Sequence, residues 1–292
     1  MLITVFTPSY NRANFFEDLY ISLKNQSFCD FEWIIVDDGS TDNTSDIVAK
    51  VSRDSSFEIR YFKQGNGGKH TAINRGVKEA RGELFFIVDS DDKLPYNALE
   101  LVVQEFSKVK SDMTIGGIAG LDMDYHTREI IGGGLQFLQI QCNAIEIRYK
   151  YRIKGDLKEV FRTSVLREFP FPEIDGEKFC PEQLVWFRIA QKYKLHYFNK
   201  IIYHVEYLED GLTKRITKAR MKSPIASMMC YSEMTHYCIP FIQKIKAAIN
   251  YWRFRFCSDK KEIPYIKWFW FFLKPLGWLM HQRDLYKIDS QG

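Results

Sequence analysis

The chain lacks the features that would mark it as a secreted, redox-active or membrane-spanning protein. None of its six cysteines stands in a C-x-x-C spacing, which excludes that kind of metal or redox motif and predicts reduced thiols. The opening residues lack the basic stretch of a signal peptide, and no apolar run approaches the ~20 residues needed to span a bilayer. We therefore expect a cytoplasmic protein, without internal repeats or low-complexity linkers.

The 292 residues that are present suffice for one or two domains, since 46% of them are hydrophobic. The net charge of +4 is unevenly distributed, because residues 241–292 contain ten Lys and Arg against four Asp and Glu, a local excess of +6. The preceding 240 residues consequently carry −2. This asymmetry indicates a C-terminal segment that is attracted to an anionic surface.

Strands and helices alternate over the first hundred residues. Short apolar, β-branched runs predict four strands, at 2–7, 31–36, 57–62 and 84–88, with helical spacing between them at 15–23, 43–51 and up to Gly82. Ser40 or Thr41 is placed to cap the second helix. Four β-α steps of this length predict a mostly parallel sheet with right-handed crossovers, which is a nucleotide-binding architecture.

Three carboxylates follow the fourth strand within four positions, at Asp89, Asp91 and Asp92. The carboxyl end of a buried strand faces the ligand crevice of an open α/β sheet. Charges this crowded repel one another unless a cation holds them, and a hard divalent ion such as Mg²⁺ or Mn²⁺, shared with a phosphate, suits oxygen ligands. The alternative is a polar turn that merely closes a core strand.

A second acidic strand end, Asp37 and Asp38, should open onto the same edge of the sheet. An Asp beside a turn can accept a hydrogen bond from the imide N–H of a base there. Between the two acidic ends, Gly67-Gly68-Lys69 precedes a helix and resembles a phosphate cradle. It has neither the Walker nor the Rossmann spacing, so a plain loop is the alternative.

Four of these segments, taken in order, resemble the motifs of glycosyltransferase family 2. They are Thr7-Pro8-Ser9-Tyr10-Asn11-Arg12, Val36-Asp37-Asp38-Gly39-Ser40, Asn66-Gly67-Gly68 with Asn74 and Gly76, and Asp89-Ser90-Asp91-Asp92. The resemblance covers about residues 1–215 and implies the GT-A fold, an α/β, Rossmann-like, mostly parallel sheet flanked by helices. We predict a catalytic domain over 1–215, with a nucleotide-binding half to about 110 and an acceptor half at 111–215, followed by a helical C-terminal extension over 216–292.

The resemblance also implies roles for individual residues. It assigns Asp38 to the base of the nucleotide, and it makes Asp91, together with Asp89, the ligand of a divalent metal, Mn²⁺ or Mg²⁺. With the glycine loop included, the residues expected to bind the nucleotide sugar are Pro8, Tyr10, Arg12, Asp38, Gly68, Lys69, Asp89 and Ser90. A bound cation would stabilise the negative charge that develops on a departing diphosphate.

The catalytic base implied by the resemblance falls on Glu182, six residues before Arg188. The family usually has Glu-Asp at the start of such a helix, and this chain departs from that pattern with Pro181-Glu182. A Glu can accept a proton as an Asp does, although its longer arm requires a different acceptor distance. The alternative is an ordinary carboxylate at a helix N-terminus, and then Asp175 or Glu177 would be the next candidates.

Two features downstream carry weaker hypotheses. The segment 210–215, with Lys214 and Arg215, could close over the diphosphate as a lid, although a solvated loop carries such charges just as often. His204 is a further metal-ligand candidate through the resemblance, with a structural histidine as the alternative.

The C-terminal extension interleaves aromatic and basic residues, above all over 251–256 and 267–280. Trp beside Lys or Arg suits an interfacial position against anionic headgroups, so a peripheral membrane contact is one interpretation. A helical hairpin that packs on the catalytic domain or on a second subunit is another. Such interleaving can also indicate nucleic-acid binding, but nothing else in the sequence supports it and we expect no nucleic-acid partner.

We accordingly expect a metal-dependent enzyme that moves a sugar, with inversion, from a nucleotide-diphosphate donor to a hydroxyl of a glycan or lipid-linked intermediate of cell-surface polysaccharide synthesis. A UDP-sugar is the favoured donor because Asp38 suits the N3–H of uracil. The expected location is the cytoplasm or the inner face of the membrane. A nucleotidyltransferase and an inactive binding module are the alternatives. The first would need a Gly-rich, Arg-Lys signature that the turn at 8–12 lacks, and the second would show a loss at Glu182.

Overall fold

The computed structural model describes residues 2–207, 212–260 and 262–289. Its centre is an eight-stranded sheet flanked by helices, which confirms the predicted α/β class. The strands are β1 Ile3–Ser9, β2 Phe31–Asp37, β3 Glu58–Lys63, β4 Leu84–Ile87, β5 Ile115–Asp124, β6 Gln139–Cys142, β7 Leu157–Arg162 and β8 Lys194–Val205. Their order across the sheet is β3-β2-β1-β4-β7-β5-β8-β6.

The first four strands form the parallel half of the sheet. β1 lies between β2 and β4 and pairs with both in parallel, and β2 pairs with β3 in the same sense. β7 joins this half antiparallel to β4, and β5 and β8 add a further parallel pair. β1, β2 and β4 are buried on both faces, which explains why they read as continuous apolar runs.

Helices cover both faces of this sheet. They are α1 Phe16–Lys24, α2 Thr44–Arg53, α3 Lys69–Glu79, α4 Ala98–Ser107, α5 Ala144–Tyr149 and α6 Thr163–Glu168. One face packs on α1, α2 and α4 through a core that includes Phe16, Val48 and Val102. On the other face Gly76 lets α3 approach, because a Cβ there would come within 2.2 Å of the Phe6 ring.

The predicted cap of α2 is wrong. Asn43, and neither Ser40 nor Thr41, precedes the helix, and it makes no side-chain capping hydrogen bond. Asp42 instead accepts hydrogen bonds from the backbone N–H and the hydroxyl of Thr44, at 3.1 and 2.6 Å. Ser40 and Thr41 are used elsewhere, by the turn after β1.

The chain divides into two compact units. The first is Met1–Pro170 with Arg188–Tyr207, and the second is Phe171–Phe187 with Leu208–Gly292. The second unit contains the start of α7 Glu182–Ile189 and the helices α8 Leu212–Lys222, α9 Pro224–Met234, α10 Phe241–Arg255 and α11 Lys274–Asp289. By contacts, residues 171–187 thus belong with the C-terminal helices, and the predicted functional boundary at residue 215 stays a prediction.

The second unit has its own apolar core. It forms around Met228 of α9 and Trp252 of α10 and includes Ile266, Trp270 and Leu273 from the segment before α11. Part of the aromatic tail is therefore a packing element of this unit. Across the three described stretches of the chain, no helix combines the length and apolar character that crossing a bilayer would require.

Candidate active site

The loops after β1, β2 and β4 leave the sheet at one edge, because these neighbouring strands are parallel. The turn after β1 is held to the loop after β2 by Asn11, which adopts a φ of +54°, a left-handed conformation that Asn tolerates. The backbone N–H of Asn11 donates to Oγ of Ser40 (2.9 Å), and its Oδ1 accepts from the N–H of Thr41 (2.8 Å). Tyr10 stays half exposed in this turn, whereas Pro8 remains within β1. Their predicted contact with a nucleotide stays a prediction.

Asp38, at the end of β2, is buried and holds the glycine loop. Its Oδ1 accepts hydrogen bonds from the N–H of Gly67 (2.9 Å) and from Nε2 of Gln64 (2.8 Å), and its Oδ2 accepts from the N–H of Gly68 (2.6 Å). A carboxylate offers about four acceptor positions, so about one, on Oδ2, is left for a ligand. The sequence predicts the ligand role of Asp38 but gives no sign of this structural role.

Gly68 and Lys69 carry the glycine loop towards the acidic end of β4. Gly68 precedes α3 with a φ of +98°, in the region that favours glycine. Lys69 is the first residue of α3, and its Nζ lies 2.7 Å from Oδ1 and 3.0 Å from Oδ2 of Asp89. The cation of the predicted phosphate loop and the predicted metal ligand are therefore in direct contact.

The two predicted metal ligands differ in how easily they ionise. Burial raises the pKa of Asp89, but the positive charges of Lys69, Lys158 and Arg12 outweigh it and the net pKa is lowered. The pKa of Asp91 is raised, first by burial and then by the negative charge of Asp89. The ionised form of Asp91 is thus less favourable in the folded protein than in an unfolded chain, and a nearby cation would offset this difference.

Asp89 and Asp91 fit a cation of the Mg²⁺ or Mn²⁺ type. Such ions are commonly held at nucleotide sites by one or two carboxylates, with phosphate oxygens and water as the remaining ligands. Among the residues with described positions, no group of three or more His, Cys, Asp or Glu is arranged to hold a metal. The protein's contribution would be these two carboxylates, which is within the usual range.

Asp92 has a structural role at the same strand end. Its Oδ2 accepts from the hydroxyl of Tyr203 (2.7 Å) and its Oδ1 from the N–H of Glu206 (2.8 Å). The Tyr203 oxygen in turn accepts from the N–H of Asp89 (2.9 Å), and Nζ of Lys158 lies 3.6 Å from the centre of the Tyr203 ring. The sequence analysis missed Tyr203 and Lys158 as site residues. The sequence shows Tyr203 only as an aromatic residue at the end of an apolar run, and an ordinary core residue gives the same pattern.

Asp122 is a further carboxylate that the sequence analysis did not single out. It lies in β5, opposite Tyr203 of β8, and is buried. Its Oδ1 has no hydrogen-bond partner among the described residues. Burial, more than the neighbouring charges, raises the pKa of Asp122 to about 7.

The predicted base, Glu182, begins α7 directly after Pro181, as the sequence analysis expected for this helix. It belongs to the second unit, and its catalytic role stays a prediction. Glu177, one of the alternative bases, has both carboxylate oxygens engaged, because it accepts from the N–H of Ile225 (2.7 Å) and of Ala226 (2.8 Å) at the start of α9. Glu177 is therefore a helix cap.

The weaker candidates remain untested. His204 lies in β8 with its ring 5.9 Å from that of Tyr125, and its pKa is lowered by burial and then by the charges of Arg128 and Lys93. Ser90 is buried. Residues 210–211 of the predicted lid lie outside the described residues, as do the side chains of Lys214 and Arg215.

The sheet order, the glycine loop held by Asp38 and the acidic end of β4 agree with an α/β fold of the GT-A type. The family model for glycosyl transferase family 2 matches residues 4–156, just over half of the chain. The chain belongs to this family, which confirms the resemblance noted in its sequence.

Two curated relatives illustrate the range of the family. A GalNAc(5)-diNAcBac-PP-undecaprenol beta-1,3-glucosyltransferase from Campylobacter jejuni is 30% identical over 232 residues, 74% of this chain and 68% of that protein. A chondroitin synthase from Pasteurella multocida is 37% identical over 110 residues, 38% of this chain. That match spans 11% of the length of the chondroitin synthase.

Solved structures agree on the fold. TarS of S. aureus, residues 1–349 in complex with UDP, superposes with a TM-score of 0.63 at 20% identity, over 89% of this chain and 73% of that one. The mannosyltransferase PcManGT of Pyrobaculum calidifontis, in complex with GDP-Man and Mn²⁺, gives a TM-score of 0.56 at 16% identity, over 99% and 75% of the two chains.

Proposed function

We propose that this glycosyltransferase moves a sugar from a UDP-sugar to a hydroxyl of a glycan or of a lipid-linked intermediate in polysaccharide synthesis. The observation that carries the proposal is the contact between Lys69 and Asp89, beside Asp91, where the loops of three parallel strands open. This edge holds cations suited to a diphosphate and carboxylates suited to a divalent metal.

The donor side is built by the first unit. Asp38 has about one acceptor position left on Oδ2, which suits the N3–H of uracil, and Tyr10 is half exposed beside the same loop. Arg12 and Lys69 supply positive charge to the acidic strand end, and both charges act on Asp89. On donor binding, Lys69 can exchange its contact with Asp89 for a phosphate oxygen.

Asp91 and Asp89 would hold the divalent cation, which would supply Lewis-acid stabilisation of the departing diphosphate. Asp91 gains most from such an ion, because burial and the negative charge of Asp89 raise its pKa and a cation would lower it again. The positive charges of Lys69, Lys158 and Arg12 lower the pKa of Asp89 and favour its ionised form. Two structural neighbours support a nucleotide donor and a divalent cation here, since TarS was solved in complex with UDP and PcManGT with GDP-Man and Mn²⁺.

The acceptor is deprotonated by Glu182 in this proposal. Its carboxylate takes the proton of the acceptor hydroxyl while the oxygen forms a bond to C1 of the sugar. The bond from C1 to the diphosphate breaks in the same step, and the electron pair leaves with the nucleoside diphosphate. One displacement of this kind inverts the anomeric centre. The Campylobacter relative, named for an undecaprenol-linked substrate, supports a lipid-linked acceptor.

A donor screen tests the proposal as a whole. The purified chain is offered UDP-sugars and GDP-sugars, with Mn²⁺ or with EDTA, and release of nucleoside diphosphate is followed. We expect slow hydrolysis of at least one UDP-sugar that requires Mn²⁺ and stops with EDTA. If only GDP-sugars are hydrolysed, the donor base is guanine and the proposed UDP donor is wrong. If activity persists in EDTA, the reaction does not depend on a divalent metal.

The role of Glu182 is tested by Glu182→Gln. The loss of a general base should lower transfer by about 10²–10⁴-fold while donor affinity is kept, because glutamine preserves the size and the start of α7. Asp175→Asn is the comparator, since it removes an exposed carboxylate from the same unit. We expect this variant to transfer normally. If the two results are exchanged, Asp175 is the base and Glu182 is only a residue of the first helical turn.

A further inference from the structure

The last helix, α11, buries small and polar residues and exposes several large apolar ones. The residues that it buries are Gly277, His281 and Asp284, which recur at helical spacing along one stripe. Its exposed positions include Leu276, Trp278, Leu279 and Met280. Helices at the surface of soluble proteins normally bury the apolar face and expose the polar one.

Specific contacts with α10 hold α11 in this orientation. Gly277 allows a close approach, because a Cβ there would come within 2.4 Å of Cβ of Trp252. Arg253 donates to Asp284 through Nη2 (2.7 Å), and this ion pair is largely buried. Turning the apolar face of α11 inward would break this pair and bring larger side chains against Trp252. The outward direction of the apolar face is therefore built into the packing.

The segment before α11 continues the same exposed surface. Within the 3-10 helix Trp268–Leu273, Trp270 and Leu273 are buried in the core of the unit, while the side chains between them and before them are open to solvent. Trp268 is 79% exposed, Phe272 68% and Leu279, on α11, 56%. We call this surface the aromatic ridge; its members are Trp268, Phe269, Phe271, Phe272, Leu276, Trp278, Leu279 and Met280. Large exposed apolar patches on soluble proteins mark sites of interaction with a partner or a membrane.

Positive charge accompanies the aromatic ridge. Lys267 stands directly before it, Lys274 in its middle and Arg283 one turn after it, and all three are exposed. The same part of the chain, residues 241–292, has an excess of six positive charges. Two copies of such a surface would repel each other, whereas an anionic surface would attract it. Exposed Trp with flanking Lys and Arg is the composition of a segment at the boundary between lipid headgroups and acyl chains.

We propose that the aromatic ridge docks the protein on an anionic lipid bilayer. Trp268, Phe272 and Leu279 enter the boundary between headgroups and acyl chains, and Lys267, Lys274 and Arg283 contact the anionic headgroups. This proposal is independent of the sugar donor, because it rests on the second unit alone.

Vesicle sedimentation with the full chain tests the proposal. Wild-type protein is mixed with vesicles of phosphatidylglycerol and phosphatidylcholine or of phosphatidylcholine alone, at low and high salt. We expect binding to the anionic vesicles that weakens with salt, and weaker binding to the neutral ones. Equal binding to both lipids, or no binding to either, would overturn the proposal.

Two variants with a matched control locate the surface. Trp268→Ala/Phe272→Ala/Leu279→Ala should lower the vesicle partition coefficient about a thousandfold, since each large apolar side chain is worth about tenfold or more. Lys267→Gln/Arg283→Gln should lower it about thirtyfold on anionic vesicles at low salt and leave neutral vesicles unchanged. Met113→Ala/Leu138→Ala removes equally exposed apolar side chains, at 68% and 85%, from the first unit and should change nothing.

Further measurements distinguish binding to a bilayer from binding to a second copy of the chain. Donor hydrolysis and circular dichroism should be unchanged in every variant, because all substituted side chains are exposed. Sedimentation velocity without lipid reports self-association. If the wild type forms a dimer that the triple variant loses, while its vesicle binding is unchanged, the aromatic ridge is a contact between two copies and the bilayer proposal fails.

Discussion

Asp38 and Asp91 belong to two acidic runs at the same edge of one sheet, yet their carboxylates have opposite surroundings. Asp38 accepts three hydrogen bonds from the glycine loop and its neighbour Gln64. Asp91 is partly buried beside the like charge of Asp89, and its pKa is raised. A carboxylate that accepts several hydrogen bonds from N–H groups stabilises the fold. A carboxylate whose pKa is raised by burial and a like charge gains more from a bound cation.

Among the variants that test this comparison, Asp91→Asn has the largest expected effect. Transfer should fall about 10²–10³-fold, the range for losing one electrostatic contact with a developing charge. The melting temperature should be unchanged or higher, because a neutral amide no longer faces the charge of Asp89. Isothermal titration with nucleoside diphosphate, with and without Mn²⁺, measures the loss of metal-assisted binding. Asp54→Asn, at an exposed position of the same unit, is the control. Unaltered metal-assisted affinity in Asp91→Asn would place the metal elsewhere.

The reverse pattern is expected for Asp38→Asn, which should lower stability. The new amide would point an N–H₂ group at backbone N–H donors of Gly67 or Gly68, and an unsatisfied buried donor costs about 1–3 kcal/mol. Denaturant unfolding of the two variants side by side measures the difference. If Asp38→Asn is as stable as wild type while Asp91→Asn unfolds early, the contrast between the two strand ends is wrong.

A pH titration sharpens the contrast with a third carboxylate, Asp122. The charges that face it are Lys158, Arg148, Asp156 and Asp89, but burial dominates and raises its pKa to about 7. The unfolded chain loses this proton near pH 4, so the folded state binds it more tightly between pH 4 and 7. Stability should therefore fall as pH rises through this window, by at most about 1.4 kcal/mol per unit of pKa difference.

Asp122→Asn should remove that part of the pH dependence. Unfolding by denaturant at several pH values from 4 to 8 compares the variant with the wild type. The difference in stability between the two should grow with pH in favour of the variant and level off near pH 7. Parallel pH profiles would show that Asp122 titrates normally in the folded protein.

The smallest effect on stability is expected for Lys69→Gln. Its ion pair with Asp89 is about one third exposed, and such pairs are typically worth about 1 kcal/mol or less. Donor affinity, in contrast, should fall by about tenfold, because a charged partner of the diphosphate is lost. Lys78→Gln, on the same helix, serves as the control. A variant that binds donor normally but melts several degrees lower would make Lys69 a structural residue.

Much of the fold could be predicted because the signals are local. β1, β2 and β4 begin and end within two residues of the predicted runs, since a buried parallel strand needs an uninterrupted apolar stretch wherever it lies. The start of α7 at Glu182 was likewise predictable, because Pro suits the position before it. The cap of α2 could not be predicted, because Oγ of Ser40 accepts a hydrogen bond from the N–H of Asn11, 29 residues away.

By itself, the sequence determined the strand runs, the order of the family motifs and the excess of charge at the C-terminus, because each of these is a property of neighbouring residues. Only the tertiary structure decided which carboxylates accept hydrogen bonds from the protein and which do not. The N–H groups that Asp38 accepts come from residues 26 to 30 positions away, so no local pattern reveals them. The same holds for α11, whose apolar face would be placed inward by periodicity alone. Its contacts with Arg253 and Trp252 turn that face outward, because an ion pair and a close helix approach fix the orientation that hydrophobicity leaves open.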